Sequence, residues 1–277
     1  MNPAEPGAAV LHLVSADGAR LSVHRHGAHV VSWTPADGRE RLYLSGRSAS
    51  RPDAAIRGGI PVIFPQFAAE GPLPRHGFAR TARWAVADPL PESGQAPVLR
   101  LRLVDDAATR AVWPQAFVAE LVVRLARQHL AVSLAVRNSG PQPLAFTAAL
   151  HTYLAVAAIE EVRIIGLRGC RYRDSANGGA PCVETAEALA IDGEVDRVYF
   201  DTPQSLRVVE PDGALTVAQS GFADTVVWNP GAAKAALLAD LDPGGERRFV
   251  CVEAAAVGRP IRLAPGERWV GTQTLIA

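Results

Sequence analysis

A chain of 277 residues, of which 48% are apolar, holds enough hydrophobic material for a packed core. Lysine plus arginine and aspartate plus glutamate both total 28, and the resulting net charge of zero argues against a broad nucleic-acid or anionic-membrane surface. Three unclustered cysteines, no N-terminal signal-peptide pattern and no apolar run near the roughly 20 residues of a membrane span predict a soluble, cytoplasmic protein without a disulfide framework.

The N-terminal half contains strand signals and few helical ones. "LHLVSADGARLSVHRHG", from residue 11, has an Asp-Gly pair at its centre, which predicts a hairpin. "RPDAAI", from residue 51, is compatible with one helical turn. "VLRLRLVD", from residue 98, reads as a strand, and "DDAATRAVW" after it predicts a short helix capped by Asp105 or Asp106.

Residues 116–138 give the clearest strand pattern. Apolar residues alternate with other positions on both sides of a short "ARQH" turn, which predicts an antiparallel hairpin with one buried face. "SLRVVEPDGALTVAQ", "RRFVCVE" and "WVGTQTLIA" add further strands. A dozen or more short strands, without a repeat or linker, predict one all-β domain over 1–277, built as a large sandwich of antiparallel sheets with few short helices.

Residues 57–80, "RGGIPVIFPQFAAEGPLPRHGFAR", form neither a clean helix nor a clean strand. Loops of this length in compact domains are usually functional or disordered, and this one is too apolar to be disordered. Its three arginines present planar charged forks suited to a phosphate or carboxylate. We expect an anion-binding pocket whose glycines let the backbone approach the ligand, whose prolines stiffen the loop, and whose phenylalanines 64, 67 and 78 anchor it.

Catalysis must come from side chains that the fold assembles. P-loop, dinucleotide-binding, nucleophile-elbow and common zinc motifs do not occur in the sequence. His24 and His26 share a face of a presumed strand, yet two ligands without a third do not make a zinc site, and a structural role is the simpler interpretation. His76 is either a loop residue that caps backbone groups or a donor to a ligand.

Four further residues have both a structural and a functional interpretation. His151, after an apolar run, is either a core residue or a catalyst. Glu253 ends a strongly β-forming run, so its carboxylate is expected to be partly buried, in a salt bridge or as an acid–base group. Asp196 and Asp224 are candidate site residues that are equally suited to capping a turn.

Several stretches, taken together and in order, are similar to one known family. They are "GAHVVSW", "IRGGIPVIFPQF", "LPRHGFAR", "ALHTYLAV", "VDRVYF", "DTVVWNP" and "RRFVCVE". The chain resembles the aldose 1-epimerase superfamily, specifically the hexose-6-phosphate mutarotases, also called glucose-6-phosphate 1-epimerases. The resemblance runs from about residue 10 to the C-terminus, and the pairing of IRGGIP and HGFAR with LHTY and VCVE makes it specific.

The resemblance implies a fold and a reaction. The fold is a galactose-mutarotase-like supersandwich of antiparallel sheets with an open, concave sugar site. The reaction interconverts the α and β anomers of a hexose 6-phosphate by ring opening and closure. The resemblance implies a small-molecule hexose phosphate as partner, with no nucleic acid or membrane. The reaction requires neither a metal nor a redox cofactor. The sequence gives no indication of an oligomeric state.

The resemblance also assigns roles to individual residues. His151 would be the general acid and Glu253 the general base. Arg57, Arg80 and Asp196 would bind substrate, and His76 would line the pocket. Arg75 replaces a glutamine frequent in the family, so it would contribute an extra positive charge, which favours a phosphorylated substrate over the unphosphorylated aldose that is one alternative. The other alternative is a sugar-phosphate-binding protein without turnover.

Overall fold

The structure is a computed structural model that describes residues 9–48, 54–87 and 97–277. Short antiparallel strands make up most of its regular structure. The strands of the described residues are, in chain order, β1 (Val10–Val14), β2 (Arg20–His24), β3 (His29–Thr34), β4 (Val62–Ile63), β5 (Ala85–Val86), β6 (Val98–Val104), β7 (Phe117–Ala126), β8 (His129–Asn138), β9 (Leu144–Leu150), β10 (Tyr153–Ala155), β11 (Arg163–Ile165), β12 (Arg171–Asp174), β13 (Pro181–Val183), β14 (Ala188–Ala190), β15 (Val195–Tyr199), β16 (Ser205–Glu210), β17 (Gly213–Ser220), β18 (Asp224–Asn229), β19 (Phe249–Leu263) and β20 (Arg268–Ile276).

Helices are few and short. The described residues contain the α-helices α1 (Ala107–Val112) and α2 (Gly231–Ala235) and four 3₁₀ turns, at Ala79–Thr81, Ile159–Glu161, Ser175–Asn177 and Gly245–Arg248. The predicted helix after residue 105 is confirmed as α1. Its N-cap is Asp106, whose carboxylate accepts from the backbone N–H of Thr109 at 2.8 Å while the threonine hydroxyl accepts from the backbone N–H of Asp106.

One other helical turn was predicted, and one short helix was not. Arg51–Asp53 of the proposed turn "RPDAAI" lie outside the described residues, and residues 54–56 are not helical. The helix α2 was not predicted, because its five residues are too few to show a helical period in the sequence.

The strands form three sheets. One has the order β1-β2-β3. A second has the order β13-β12-β15-β18-β19-β9-β4, with β10 also paired to β19, and a third runs β14-β11-β16-β17-β20-β8-β7-β6-β5. The predicted hairpins are present as β1–β2 and β7–β8, and β16–β17 form another one. The all-β prediction is therefore confirmed.

The second and third sheets face each other across a common apolar core. Inward-facing residues of both sheets, such as Val252 and Ala254 of β19 and Leu134 and Val136 of β8, belong to one cluster of buried side chains, which also takes in β1, β2 and β3. The second sheet has another face, away from this core, and that face carries the groups described next. No helix among the described residues is long and apolar enough to cross a membrane.

Candidate active site

Strand alternation places Glu253 on the outer face of the second sheet. Successive side chains of a strand point to opposite faces. Val252 and Ala254 on β19 lie in the common core, so Glu253 between them points the other way. Cys251 and Ala255, which share its parity, likewise belong to separate buried clusters on that outer face. The "RRFVCVE" stretch thus delivers a carboxylate to this outer face, between apolar residues of the same strand.

Neighbouring strands bring further groups to the same face. Glu253 lies opposite Val226 of β18, and Trp228, two residues farther on, lies opposite Asp196 of β15. His151 follows the end of β9, where its backbone N–H donates to the carbonyl oxygen of Pro61 at 3.0 Å. Residues far apart in sequence are therefore held together by strand pairing.

These groups line a cleft of about 410 Å³. Every residue that the sequence analysis assigned to the site borders it: Arg57, Arg75, His76, Arg80, His151, Asp196 and Glu253. Eight of the lining residues come from the 57–80 segment, so that segment forms one side of the cleft.

His151 and Glu253 form a close pair on the cleft floor. Nε2 of His151 lies 3.3 Å from Oε1 of Glu253, and the two residues are 9% and 1% exposed. Within the described part of the chain, Nδ1 of the histidine and Oε2 of the carboxyl group have no hydrogen-bond partner. A buried polar group without a partner is costly, and such groups are typical of functional sites.

Burial shifts the acidity of both members of the pair towards their neutral forms. It raises the pKa of Glu253 well above its usual value, with the nearby Asp196 adding to the effect. It also holds the pKa of His151 well below its usual value, reinforced by the neighbouring His76, Arg57 and Arg80. Both shifts favour the neutral forms of the two groups, a carboxyl group that holds a proton beside an imidazole that can accept one.

Aromatic rings fix the plane of the His151 imidazole. The ring of Tyr153 stacks on it at 4.9 Å with an interplanar angle of 12°. The rings of His76 and Trp228 meet it edge-on at 5.7 and 5.8 Å. With three sides occupied, the imidazole has little rotational freedom.

The three arginines of the loop differ in their partners. Arg57 donates from Nε and Nη2 to the two carboxylate oxygens of Asp240, each at 3.2 Å, and from Nη1 to the Tyr153 hydroxyl at 3.1 Å. Arg80 donates from Nη2 to the backbone carbonyl of Arg75 at 2.9 Å. Among the described residues neither Arg75 nor Arg80 has a carboxylate in ion-pair contact, although Arg80 is only partly exposed.

Arg80 is therefore a partly buried cation that no carboxylate of the described residues neutralises. Burial, together with the neighbouring charges of Arg57 and Arg75, lowers its pKa. An anion in the cleft would neutralise this local excess of positive charge, in a molecule whose overall net charge is zero.

His76 is held in one tautomer by the loop itself. Its backbone has φ of 67°, and its N–H donates to the carbonyl of Ala68 at 2.8 Å. The backbone N–H of Ala68 donates in turn to Nδ1 of His76 at 3.2 Å. Nδ1 is thus an acceptor, and Nε2 carries the hydrogen. Burial and the charges of Arg80, Arg75 and Arg57 lower the pKa of His76 to about 3, so the ring is a neutral donor.

Asp196 is a partly buried carboxylate on the cleft wall. Burial raises its pKa, while Lys234 and Arg75 act in the opposite direction. Its position on β15, in register with Trp228, places a hydrogen-bonding group beside an aromatic face. That combination suits a sugar, which offers both hydroxyls and an apolar C–H surface.

The glycines of the loop serve a different purpose from the expected one. At Gly58, Gly59 and Gly77, all with positive φ, a Cβ would lie 2.2–2.3 Å from a carbonyl oxygen of Tyr43, Val30 or Phe64. They permit close contact between backbone segments of the protein, not approach to a ligand. The expected anchoring is present: Phe64 is fully buried in the common core, Phe78 packs against that core, and Phe67 is buried in the cluster on the outer face.

The remaining candidates lie away from the cleft. Asp224 is buried, and its carboxylate accepts from the backbone N–H groups of Val257 and Gly258 at 2.8 and 2.7 Å, which is the capping role. Nε2 of His26 lies 2.8 Å from the carbonyl of Ala54. No group of three or more His, Cys, Asp or Glu side chains that could hold a metal ion occurs in residues 9–48, 54–87 and 97–277.

Several cleft residues were not identified from the sequence. Tyr153 and Trp228 lie within the quoted stretches "ALHTYLAV" and "DTVVWNP", and the outward parity of Trp228 on β18 was a usable signal. Lys234 lies on α2, and Asp240 follows that helix. Neither had a sequence signal, because Asp240 acts through its contact with Arg57 and Lys234 through its contact with Glu194.

Comparison with known proteins places these features in context. The aldose 1-epimerase family profile matches residues 10–275. A protein of Cenchrus ciliaris named "Putative glucose-6-phosphate 1-epimerase" is 35% identical over 264 residues, which cover 92% of this chain and 80% of the relative. An Escherichia coli K12 protein of the same name is 33% identical over 85% of this chain and 79% of its own length. The crystal structure of a "putative mutarotase" from Salmonella typhimurium superposes with a TM-score of 0.88, at 28% identity, covering 96% of this chain and 89% of that one.

Proposed function

The chain belongs to the aldose 1-epimerase family, and from this premise we propose that it interconverts the α and β anomers of a hexose 6-phosphate, with glucose 6-phosphate as the first candidate. The observation that carries the proposal is the content of a single cleft. A buried His–Glu pair 3.3 Å apart lies in the same cleft as Arg75 and Arg80, two guanidinium groups without a carboxylate partner among the described residues. The pair supplies the chemistry and the arginines supply the preference for a phosphate.

The reaction is proton transfer at the two ends of the C1–O5 bond. Glu253 takes the proton of the C1 hydroxyl while His151 gives a proton to the ring oxygen, and the ring opens to the aldehyde. The C1 carbonyl turns to its other face, and the roles reverse as the ring closes. A positioned acid or base typically contributes a factor of about 10²–10⁴, which suits a reaction that also proceeds slowly without a catalyst.

The phosphate of the substrate also favours the protonated form of His151. The positive charges of Arg57 and Arg80 are among the causes that lower the pKa of His151. A bound phosphate dianion offsets those charges, so the pKa of His151 rises and the imidazole can hold the proton as the general acid. With an unphosphorylated sugar this compensation does not occur. Substrate charge therefore acts on the chemical step as well as on binding.

Remaining side chains position the sugar. Asp196 accepts hydrogen bonds from sugar hydroxyls, the indole of Trp228 covers the apolar side of the ring, and Nε2–H of His76 donates from the opposite wall. Asp240 holds Arg57 by two hydrogen bonds, so the third arginine is oriented before a ligand arrives. Such prior orientation reduces the entropy lost on binding.

Exchange NMR on an equilibrated mixture of glucose 6-phosphate anomers tests the proposal. The anomeric protons report interconversion directly and without a coupling enzyme. We expect exchange that depends on the wild-type protein and is lost in a His151→Asn variant, which keeps a polar side chain of similar shape. Acceleration with glucose but not with glucose 6-phosphate would assign the enzyme to unphosphorylated aldoses. Binding of sugar phosphates without acceleration would assign a binding function instead.

A further inference from the structure

A buried polar pair lies directly behind the His–Glu pair, inside the core between the two large sheets. Thr152 and Gln273 are 0% and 1% exposed. The Thr152 hydroxyl donates to Oε1 of Gln273, and Nε2 of Gln273 donates to the backbone carbonyl of Val252 at 3.0 Å. Gln273 belongs to β20 of the third sheet, so its side chain reaches across the core to the second sheet.

Both contacts end one residue from a member of the catalytic pair. Thr152 follows His151, and Val252 precedes Glu253. The backbone of these neighbours is also joined directly, because the N–H of Val252 donates to the carbonyl of Thr152 at 3.1 Å. Gln273 thus bonds to both chain segments on the core side of the sheet. The contacts are next to His151 and Glu253, whose side chains meet in the cleft.

The backbone at Thr152 lies at an interruption in the pairing of the second sheet. Regular pairing stops between β9 and β10, where the N–H of Thr152 turns back to the carbonyl of Leu150 at 2.9 Å. His151 therefore stands at a break in the strand, and the sheet ladder alone does not fix its direction. The rest of the surrounding core is apolar, as at Leu150, Val252 and Leu275, so a glutamine there has no solvation role.

We propose that Gln273, acting through Thr152 and Val252, is a positioning residue that fixes the separation between the His151 imidazole and the Glu253 carboxyl group. This inference rests on the proposed function for its kinetic readout. Proton transfer depends steeply on the distance and direction between donor and acceptor, and misplacement by about 1 Å can cost about a hundredfold in rate. Gln273 does not line the cleft, so it acts on turnover and not on affinity.

Paired substitutions separate positioning from general stabilisation. Thr152→Val keeps the shape of the side chain and removes the hydroxyl, and Thr152→Ser keeps the hydroxyl. Gln273→Leu removes both hydrogen bonds and suits the apolar surroundings. The matched control is Thr272→Val: Thr272 adjoins Gln273 on β20 but points to the other face, where its hydroxyl lies 2.8 Å from that of Ser133.

We expect Thr152→Val and Gln273→Leu to lower kcat for glucose 6-phosphate anomerisation about tenfold while KM changes less than about twofold. Thr152→Ser and Thr272→Val should retain kcat within about twofold. If Gln273→Leu does not fold, the Thr152→Val and Thr152→Ser pair decides the matter. If Thr152→Val has a lowered thermal midpoint but full kcat, the contact between Thr152 and Gln273 has only a structural role. That result would overturn the proposal.

A second readout needs no turnover. Ring-proton NMR signals of His151, assigned by their loss in His151→Asn, report the environment of the imidazole in the free protein. We expect them to shift in Thr152→Val and to stay in place in Thr152→Ser and Thr272→Val. If wild-type protein does not accelerate anomerisation, the proposed function fails while this comparison still tests the positioning role. Unmoved signals in Thr152→Val would overturn that role regardless of activity.

Discussion

Replacing Arg80 with alanine should separate phosphorylated from unphosphorylated substrates. Arg80 lines the cleft, has no carboxylate partner among the described residues, and is partly buried. Its removal takes away an attraction that only a charged ligand feels. We therefore expect a large loss of affinity for glucose 6-phosphate and a small one for glucose.

The size of the loss follows from the charges in the cleft. Two unit charges about 4 Å apart interact by about 4 kcal/mol at an effective dielectric constant of about 20. Arg57 and Arg75 remain in the variant and keep part of this attraction, so a net loss of about 2–3 kcal/mol is expected. That corresponds to an increase in Kd of about 30- to 150-fold for glucose 6-phosphate. Free glucose should lose less than about threefold.

Calorimetric titration of a His151→Asn background measures Kd for both sugars without turnover. The matched control is Arg83→Ala, which removes the same charge from an exposed residue that does not line the cleft. Arg83→Ala should leave both affinities within about twofold, and thermal melting should show that Arg80→Ala is no less stable than the parent. Equal losses for glucose and glucose 6-phosphate would refute the phosphate assignment, and equal losses in the two arginine variants would refute a local effect.

Three other outcomes are expected. His151→Asn should lower kcat by about 10²–10⁴-fold while calorimetry still detects sugar-phosphate binding; retained kcat would remove the histidine from the chemistry. Burial lowers the pKa of His29 and His76 to about 3 from 6.5, so the unfolded chain binds protons that the folded one does not. Stability should then fall as the pH drops from 6.5 towards 3, and urea titrations should show a shallower fall in a His29→Gln variant than in the wild type. Gly77→Ala would place a Cβ 2.2 Å from the Phe64 carbonyl oxygen at φ of 68°, so urea unfolding should show a loss of at least about 1–3 kcal/mol; an unchanged midpoint would contradict the close contact.

Strand alternation and motif resemblance together predicted much of this molecule. Alternation located the hairpin at 116–138 because the period of two extends over both arms, and it also implies the outward direction of Glu253 between Val252 and Ala254. Loop composition and local context nominated the other site residues, the resemblance assigned their roles, and the structure places these residues around one cleft. Their roles, and the single domain over 1–277, stay predictions.

What the sequence did not predict depends on contacts between distant segments. Arg57 and Asp240 are 183 residues apart, and no local pattern links them. Strand alternation on β20 places Gln273 on the core-facing side, where an apolar residue is expected. Its role becomes visible only once its partners Thr152 and Val252 are known. The glycines at 58, 59 and 77 were assigned to the ligand because the sequence does not show the carbonyl groups that they face.

The cleft has a floor of strands and a wall formed by the 57–80 loop. The proton-transfer groups lie on the floor and the charges that select a phosphate lie on the wall, so selection or engineering can change the two separately. His151 and Glu253 lie at or on strands of the second sheet, and backbone hydrogen bonds of that sheet hold both. Arg75 and Arg80 sit on a segment whose own anchors, Phe64 and Phe78, point the other way into the common core. Their charges are therefore open to exchange without disturbing the framework. Neutral residues at these two positions offer a direct route to a mutarotase for uncharged sugars that keeps the same proton-transfer machinery.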